Sequence, residues 1–182
     1  MSAPGPPIIP STHPYAGEAA AMTAFQLQFQ PSAGLIQVVR RFVSDFYERV
    51  LDDPDAVSRV ALATHELLEN AVKYAIDGAT ALSIHVEPGT DTTATRVSIC
   101  LSNRAAPEHL SAVRGLFEEM NRYADPFEHY QAAMERSARS TTGSGLGIAR
   151  VRTEGEMTMS YTIEGDTVSI TAEARVQSAR ST

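Results

Sequence analysis

Cys100 is the only cysteine of the chain. One thiol excludes an internal disulfide and cannot by itself build a thiolate metal site. A reducing compartment is the simpler expectation. Long hydrophobic runs are also missing: no apolar stretch approaches the roughly 18 residues that a membrane-crossing helix needs. The first residues lack the basic start and apolar centre of a secretory signal. Positive charge is scarce as well. Lys and Arg number 15 against 22 Asp and Glu, for a formal net charge of −7. That balance argues against a basic nucleic-acid-binding surface. The expectation is a soluble, cytoplasmic protein with no direct nucleic-acid partner and no membrane.

What is present suits a globular domain. The chain has 182 residues, 43% hydrophobic and 20% charged, enough for one domain with a substantial core. Pro4, Pro6, Pro7, Pro10 and Pro14 are half of its 10 prolines. Such a stretch favours extended backbone over packing. Residues 1–23 are therefore expected to be a disordered Pro-rich tail, 24–175 the folded domain and 176–182 a flexible tail.

Phe25, Leu27 and Phe29 alternate with glutamines, the period of a strand. After Pro31, Ser32 suits a helix N-cap, and apolar residues recur at helical spacing from Leu35 to Val50. Asp53-Pro54 caps and starts a second helix, predicted to run to Ile76 and to stop at Asp77-Gly78. Two strands follow, marked by Leu82, Ile84, Val86 and by Val97, Ile99, Leu101. A helix is expected over Pro107 to Tyr123, and another from Asp125-Pro126 carrying Phe127, Tyr130 and Met134. These three are expected to pack on the domain's own core, with a partner-docking stripe as the other reading. The loop Ser140 to Gly147 leads into a short helix, and a hairpin turning at Glu164-Gly165-Asp166 closes the chain. Helices clustered between antiparallel strands predict an α+β fold: an α/β sandwich with helices on one face of a mixed, mostly antiparallel sheet.

Two motifs carry chemistry. In His65-Glu66-Leu67-Leu68-Glu69-Asn70-Ala71-Val72-Lys73-Tyr74, residues Glu66, Asn70 and Lys73 fall within about 60° of one another on a helix. A carboxylate can take a proton from a nucleophile, an amide oxygen suits Mg²⁺, and a cation neutralises phosphate. The second motif, Gly143-Ser144-Gly145-Leu146-Gly147, precedes a helix. Glycines there let backbone N–H groups approach phosphate oxygens. No Gly-Lys-Ser/Thr follows, so it is not a Walker A loop, and no strand leads into it as in a dinucleotide fingerprint.

Together the two motifs resemble the N and G2 boxes of the GHKL (Bergerat-fold, histidine kinase-like) ATPases. The segment around Val38-Val39-Arg40-Arg41-Phe42-Val43 is similar to the anti-sigma-factor serine/threonine kinases. The likeness spans about Ala24 to Ala174. It implies Mg²⁺ and ATP as cofactors, Glu66 as general base, Asn70 as Mg²⁺ ligand and Lys73 as phosphate contact. Gly143, Gly145, Leu146 and Gly147 would hold the phosphates. The implied partner is a sigma factor or a small anti-sigma antagonist, and a homodimer is in keeping with the family.

The chain departs from that pattern at the adenine box. Where the family places Asp-x-Gly-x-Gly, this sequence reads Asn103-Arg104-Ala105-Ala106-Pro107. Asn103 keeps an acceptor oxygen but no charge, a loss of roughly 1–2 kcal/mol in base recognition. Three readings stay open: an ATP-dependent regulatory kinase, a catalytically inactive protein-binding module of a partner-switching pathway, and a histidine-kinase catalytic domain. The last lacks a preceding His-bearing dimerisation helix.

Overall fold

A computed structural model describes residues 23–30, 32–51, 53–90, 93–139 and 145–176. The Pro-rich tail up to residue 22, Gly143, Ser144 and the last six residues lie outside these ranges.

Strand β1 (Thr23–Phe29) half-buries alternate residues, as its sequence period demands. Helix α1 (Ala33–Val50) starts at Ser32, whose hydroxyl accepts from the Leu35 N–H at 3.3 Å. Its buried stripe is Ile36, Val39, Val43 and Tyr47. Helix α2 (Pro54–Tyr74) is capped by Asp53, whose Oδ1 accepts from the N–H groups of Asp55 and Ala56 at 2.9 and 3.2 Å. Val60, Leu67 and Leu68 are fully buried, so α2 is the central helix of the core. Strands β2 (Ala75–Glu87) and β3 (Thr95–Ala105) follow, then α3 (Pro107–Met120), α4 (Pro126–Arg139) and α5 (Leu146–Thr153). Strands β4 (Thr158–Glu164) and β5 (Thr167–Val176) form the closing hairpin.

The architecture is α+β. Five strands run in the order β1-β2-β3-β5-β4. All four neighbouring pairs are antiparallel, so the sheet contains none of the parallel pairing that a mixed sheet allows. Val97, Ile99 and Leu101 of β3 face the helices and join one cluster with Leu67, Leu68 and Ile148. The opposite face of β3 is mostly polar: Ser102 bonds Ser169 of β5 at 2.7 Å, and Cys100 is half-buried there. Among the described residues, no helix is long and apolar enough to cross a membrane.

Two local expectations give way to tertiary structure. Helix α2 ends at Tyr74, and the Asp77-Gly78 pair read as its stop lies inside β2. Pairing with β3 slips there, between Ala75 and Thr80. Gly78 takes φ +68° and Asp77 Oδ1 accepts from the Ala79 N–H at 3.0 Å, so the same turn chemistry makes a bulge instead of a cap. On α4 the buried residues are His129 and Ala133, while Phe127 and Met134 are exposed. Phe127 and Met134 therefore do not pack on the core, while Tyr130 is half-buried. The helix turns its smaller face to α5, where Ala133 permits close approach and Thr153 Oγ1 donates to the Pro126 carbonyl at 2.9 Å. Burial pushes the His129 imidazole pKa down, with Arg152 and Arg136 adding to the shift and Glu119 opposing it.

Leu68 has no exposed surface, and Val38 is 63% exposed. Leu68→Ala is expected to cost about 2–5 kcal/mol in urea denaturation, and Val38→Ala less than about 0.5 kcal/mol. Equal costs would contradict the assigned core.

Candidate functional site

The site lies where α2 meets α5. Glu66 projects from the middle of α2 and is 8% exposed. A carboxylate taken that far from water needs a partner. It receives one from Arg150 of α5, whose Nη1 donates to Glu66 Oε1 across 84 residues of sequence. The rest of the guanidinium stays on its own helix. Nε and Nη2 donate to the two carboxylate oxygens of Glu154 at 3.2 and 3.1 Å.

The glycines before and in α5 have identifiable causes. Gly145 is the N-cap and takes φ +68°, a left-handed conformation that side chains other than glycine rarely adopt. A Cβ there would also collide with the Leu116 side chain of α3. At Gly147 a Cβ would come within 2.6 Å of Glu66 Oε2. The Glu66 carboxylate thus lies against the first turn of α5, and a side chain at 147 would require it to shift. Arg152 anchors this helix from the far side by donating to the carbonyls of Met120 and Tyr123 at 3.1 and 2.7 Å.

The three residues predicted to share one edge of α2 differ in depth. Glu66 is buried, Asn70 is half-buried and Lys73 is exposed. Lys73 Nζ sits over the Tyr74 ring at 5.2 Å. His65 Nε2 meets Glu69 at 3.1 Å. Of the glycine motif, Gly145, Leu146 and Gly147 are described, and Gly147 directly adjoins Glu66. Gly143 lies outside the described residues.

Asn103 sits on β3 at 5% exposure, on the face covered by helices. Its Nδ2 donates to the Arg104 carbonyl at 3.0 Å. Its partner on β2 is Thr80, 2% exposed, with a hydroxyl that has no hydrogen-bond partner among the described residues. Beyond Asn103 the chain does not open into a loop. β3 continues to Ala105, whose N–H donates to the Asp166 carbonyl at 2.8 Å, and α3 begins at Pro107. Ala105 is itself buried against Leu110 and Val168.

No family model matches the chain, and no curated protein matches it. Solved structures do match. The fold is similar to that of a chain in the crystal structure of the SiaB–SiaC complex from Pseudomonas aeruginosa. The superposition covers 84% of this chain and 89% of that one, with a TM-score of 0.58 and 17% identity. At that identity the likeness concerns the fold alone.

Sequence reasoning missed two residues. Arg150 had a signal: a basic residue one turn beyond the glycines and four before Glu154. Thr80 had none, because it follows Asp77-Gly78, which reads locally as the end of a helix.

The donor set fits a Mg-nucleotide in three respects. The half-buried Asn70 offers an amide oxygen one helical turn from Glu66, Gly147 at the start of α5 lies at close approach to the Glu66 carboxylate, and Thr80 holds an unused hydroxyl among the described residues. Asn70 would hold Mg²⁺ and the first turn of α5 the phosphates.

Burial raises the Glu66 carboxyl above its ordinary value of 4.5, Arg150 and His65 oppose that shift, and Glu69 and Glu154 add to it. The folded protein then holds this proton more tightly than the unfolded chain. The resulting stability is fully present below pH 4.5 and is lost as pH rises through the raised folded value. In urea denaturation across this window, wild type is expected to lose stability relative to Glu66→Gln. A pH-independent difference would contradict the raised carboxyl.

Proposed function

We propose that this chain is an ATP-binding regulatory protein of the anti-sigma-factor serine/threonine kinase type, acting on a partner protein. The observation that carries the reading is the meeting of Glu66 with Gly147: the glycine motif and the acidic edge of α2, 81 positions apart by number, form one locus. In the proposed reaction Asn70 holds Mg²⁺, the backbone of Gly145, Leu146 and Gly147 receives the phosphates, and Lys73 lies at the solvent edge. Glu66 accepts the proton of a serine or threonine hydroxyl on the partner. Burial keeps this carboxyl more basic than an exposed glutamate, which suits a proton acceptor. Asn103 and Thr80 offer an acceptor and a hydroxyl for the base. A chain of this fold occurs in the SiaB–SiaC complex, which supports the partner-protein half of the reading.

One observation favours a second reading, an inactive module that binds partners by its surface. β3 runs straight through Ala105 into α3, and Ala105 is buried where the resemblance implies glycines beside the base.

Calorimetric titration with Mg-ATP and Mg-ADP separates the two. Micromolar binding that weakens at least about tenfold in Asn70→Ala supports the nucleotide reading. No heat at millimolar nucleotide would overturn it and leave the inactive module.

A further inference from the structure

The nucleotide reading assigns Arg150 no role, yet it makes the central contact of the site. We propose that Arg150 is the phosphate-contacting residue, and that a phosphoryl group and the Glu66 carboxylate exchange places on its guanidinium. This rests on the nucleotide reading and deepens it.

The geometry supports exchange in three ways. First, the bonds of Arg150 divide cleanly. Those to Glu154 lie within α5 and move with it, whereas the one to Glu66 crosses between helices. Losing Glu66 leaves the guanidinium oriented. Second, Arg150 is reachable from solvent: its side chain is 35% exposed and that of Glu66 10%. Third, Glu66 Oε2 lies against Gly147, at the turn where the resemblance puts a phosphate. One anion already occupies the position. A second cannot enter beside it without like-charge repulsion, while an arginine fork binds a phosphate as readily as a carboxylate.

Exchange has a chemical consequence for the base. While paired, Arg150 opposes the upward push that burial gives the Glu66 carboxyl. Once Arg150 turns to phosphate, the same burial makes the carboxylate seek a proton, and the nearest source is a hydroxyl presented to it. The base is quiet without nucleotide and becomes more basic when the phosphoryl group arrives. Glu69, Glu154 and His65 are the other charged groups acting on it.

The test is calorimetry of full-length wild type, Glu66→Gln, Arg150→Gln, Arg150→Lys and the Glu66→Gln/Arg150→Gln pair with Mg-ATP, each first checked for an unchanged circular dichroism spectrum. Removing the competing charge is expected to tighten binding about tenfold, and Arg150→Gln to weaken it about tenfold. The double variant should bind no tighter than Arg150→Gln, and Arg150→Lys should lie nearer to wild type. On wild type, ¹³C-glutamate NMR should show the Glu66 carboxyl titrating at higher pH with Mg-ATP bound. If wild type binds but Glu66→Gln is no tighter, or its gain survives in the double variant, exchange is overturned and nucleotide binding stands. If no protein binds, Glu66→Gln included, both fall.

Discussion

A carboxylate placed in the middle of a buried helix face cannot stay there unpaired, and this constraint organises the protein. Glu66 sits at 8% exposure beside Leu67 and Leu68, which have none. Its partner comes from α5, a short helix 84 residues later in the chain. Bringing Arg150 there sets the approach of α5 to α2, and at Gly147 a side chain would have to displace the Glu66 carboxylate. Arg152 and Thr153 on the same helix tie down the end of α3 and the start of α4. Buried ion pairs contribute little net stability, but breaking one by removing a partner is costly. The arrangement specifies which helix faces meet, and it sets a titratable group at their junction.

The sheet supplies the second half of the account. Antiparallel pairing puts Asn103 of β3 opposite Thr80 of β2, both on the helix-covered face. The Asn103 amide donates to the Arg104 carbonyl, and the neighbouring Thr80 hydroxyl is unused among the described residues. Polar atoms left in this condition beneath a helix layer have a cost that a hydrogen-bonding ligand would offset. The likeness to the solved structure concerns the fold as a whole. It does not reach the identity of a partner.

Much of this was legible in the sequence, and the limits have physical causes. Local signals held where local chemistry decides. Ser32 and Asp53 cap the helices they precede, the alternation Phe25, Leu27, Phe29 is a strand, and Gly165 turns the final hairpin. Signals failed where long-range pairing decides. Asp77-Gly78 has the same turn chemistry in a bulge as at a helix end, and only the register with β3 distinguishes them. Phe127 and Met134 have core-like spacing, yet α4 buries His129 and Ala133. The pairing of Glu66 with Arg150 follows from no periodicity at all. Local sequence marks the glycine loop and the acidic edge as candidates, and only the fold makes them neighbours.

The central claim is that the edge of α2 and the first turn of α5 together receive nucleotide phosphates. Amide-resolved ¹⁵N NMR of the full chain during a Mg-ATP titration tests it most directly. The account predicts concerted shifts of the Gly145, Leu146 and Gly147 backbone amides and of the Asn70 side-chain amide, saturating at one nucleotide per chain, with the Asn103 side chain moving as the base docks. Shifts absent from these groups, or confined to surfaces away from the α2–α5 junction, would contradict it.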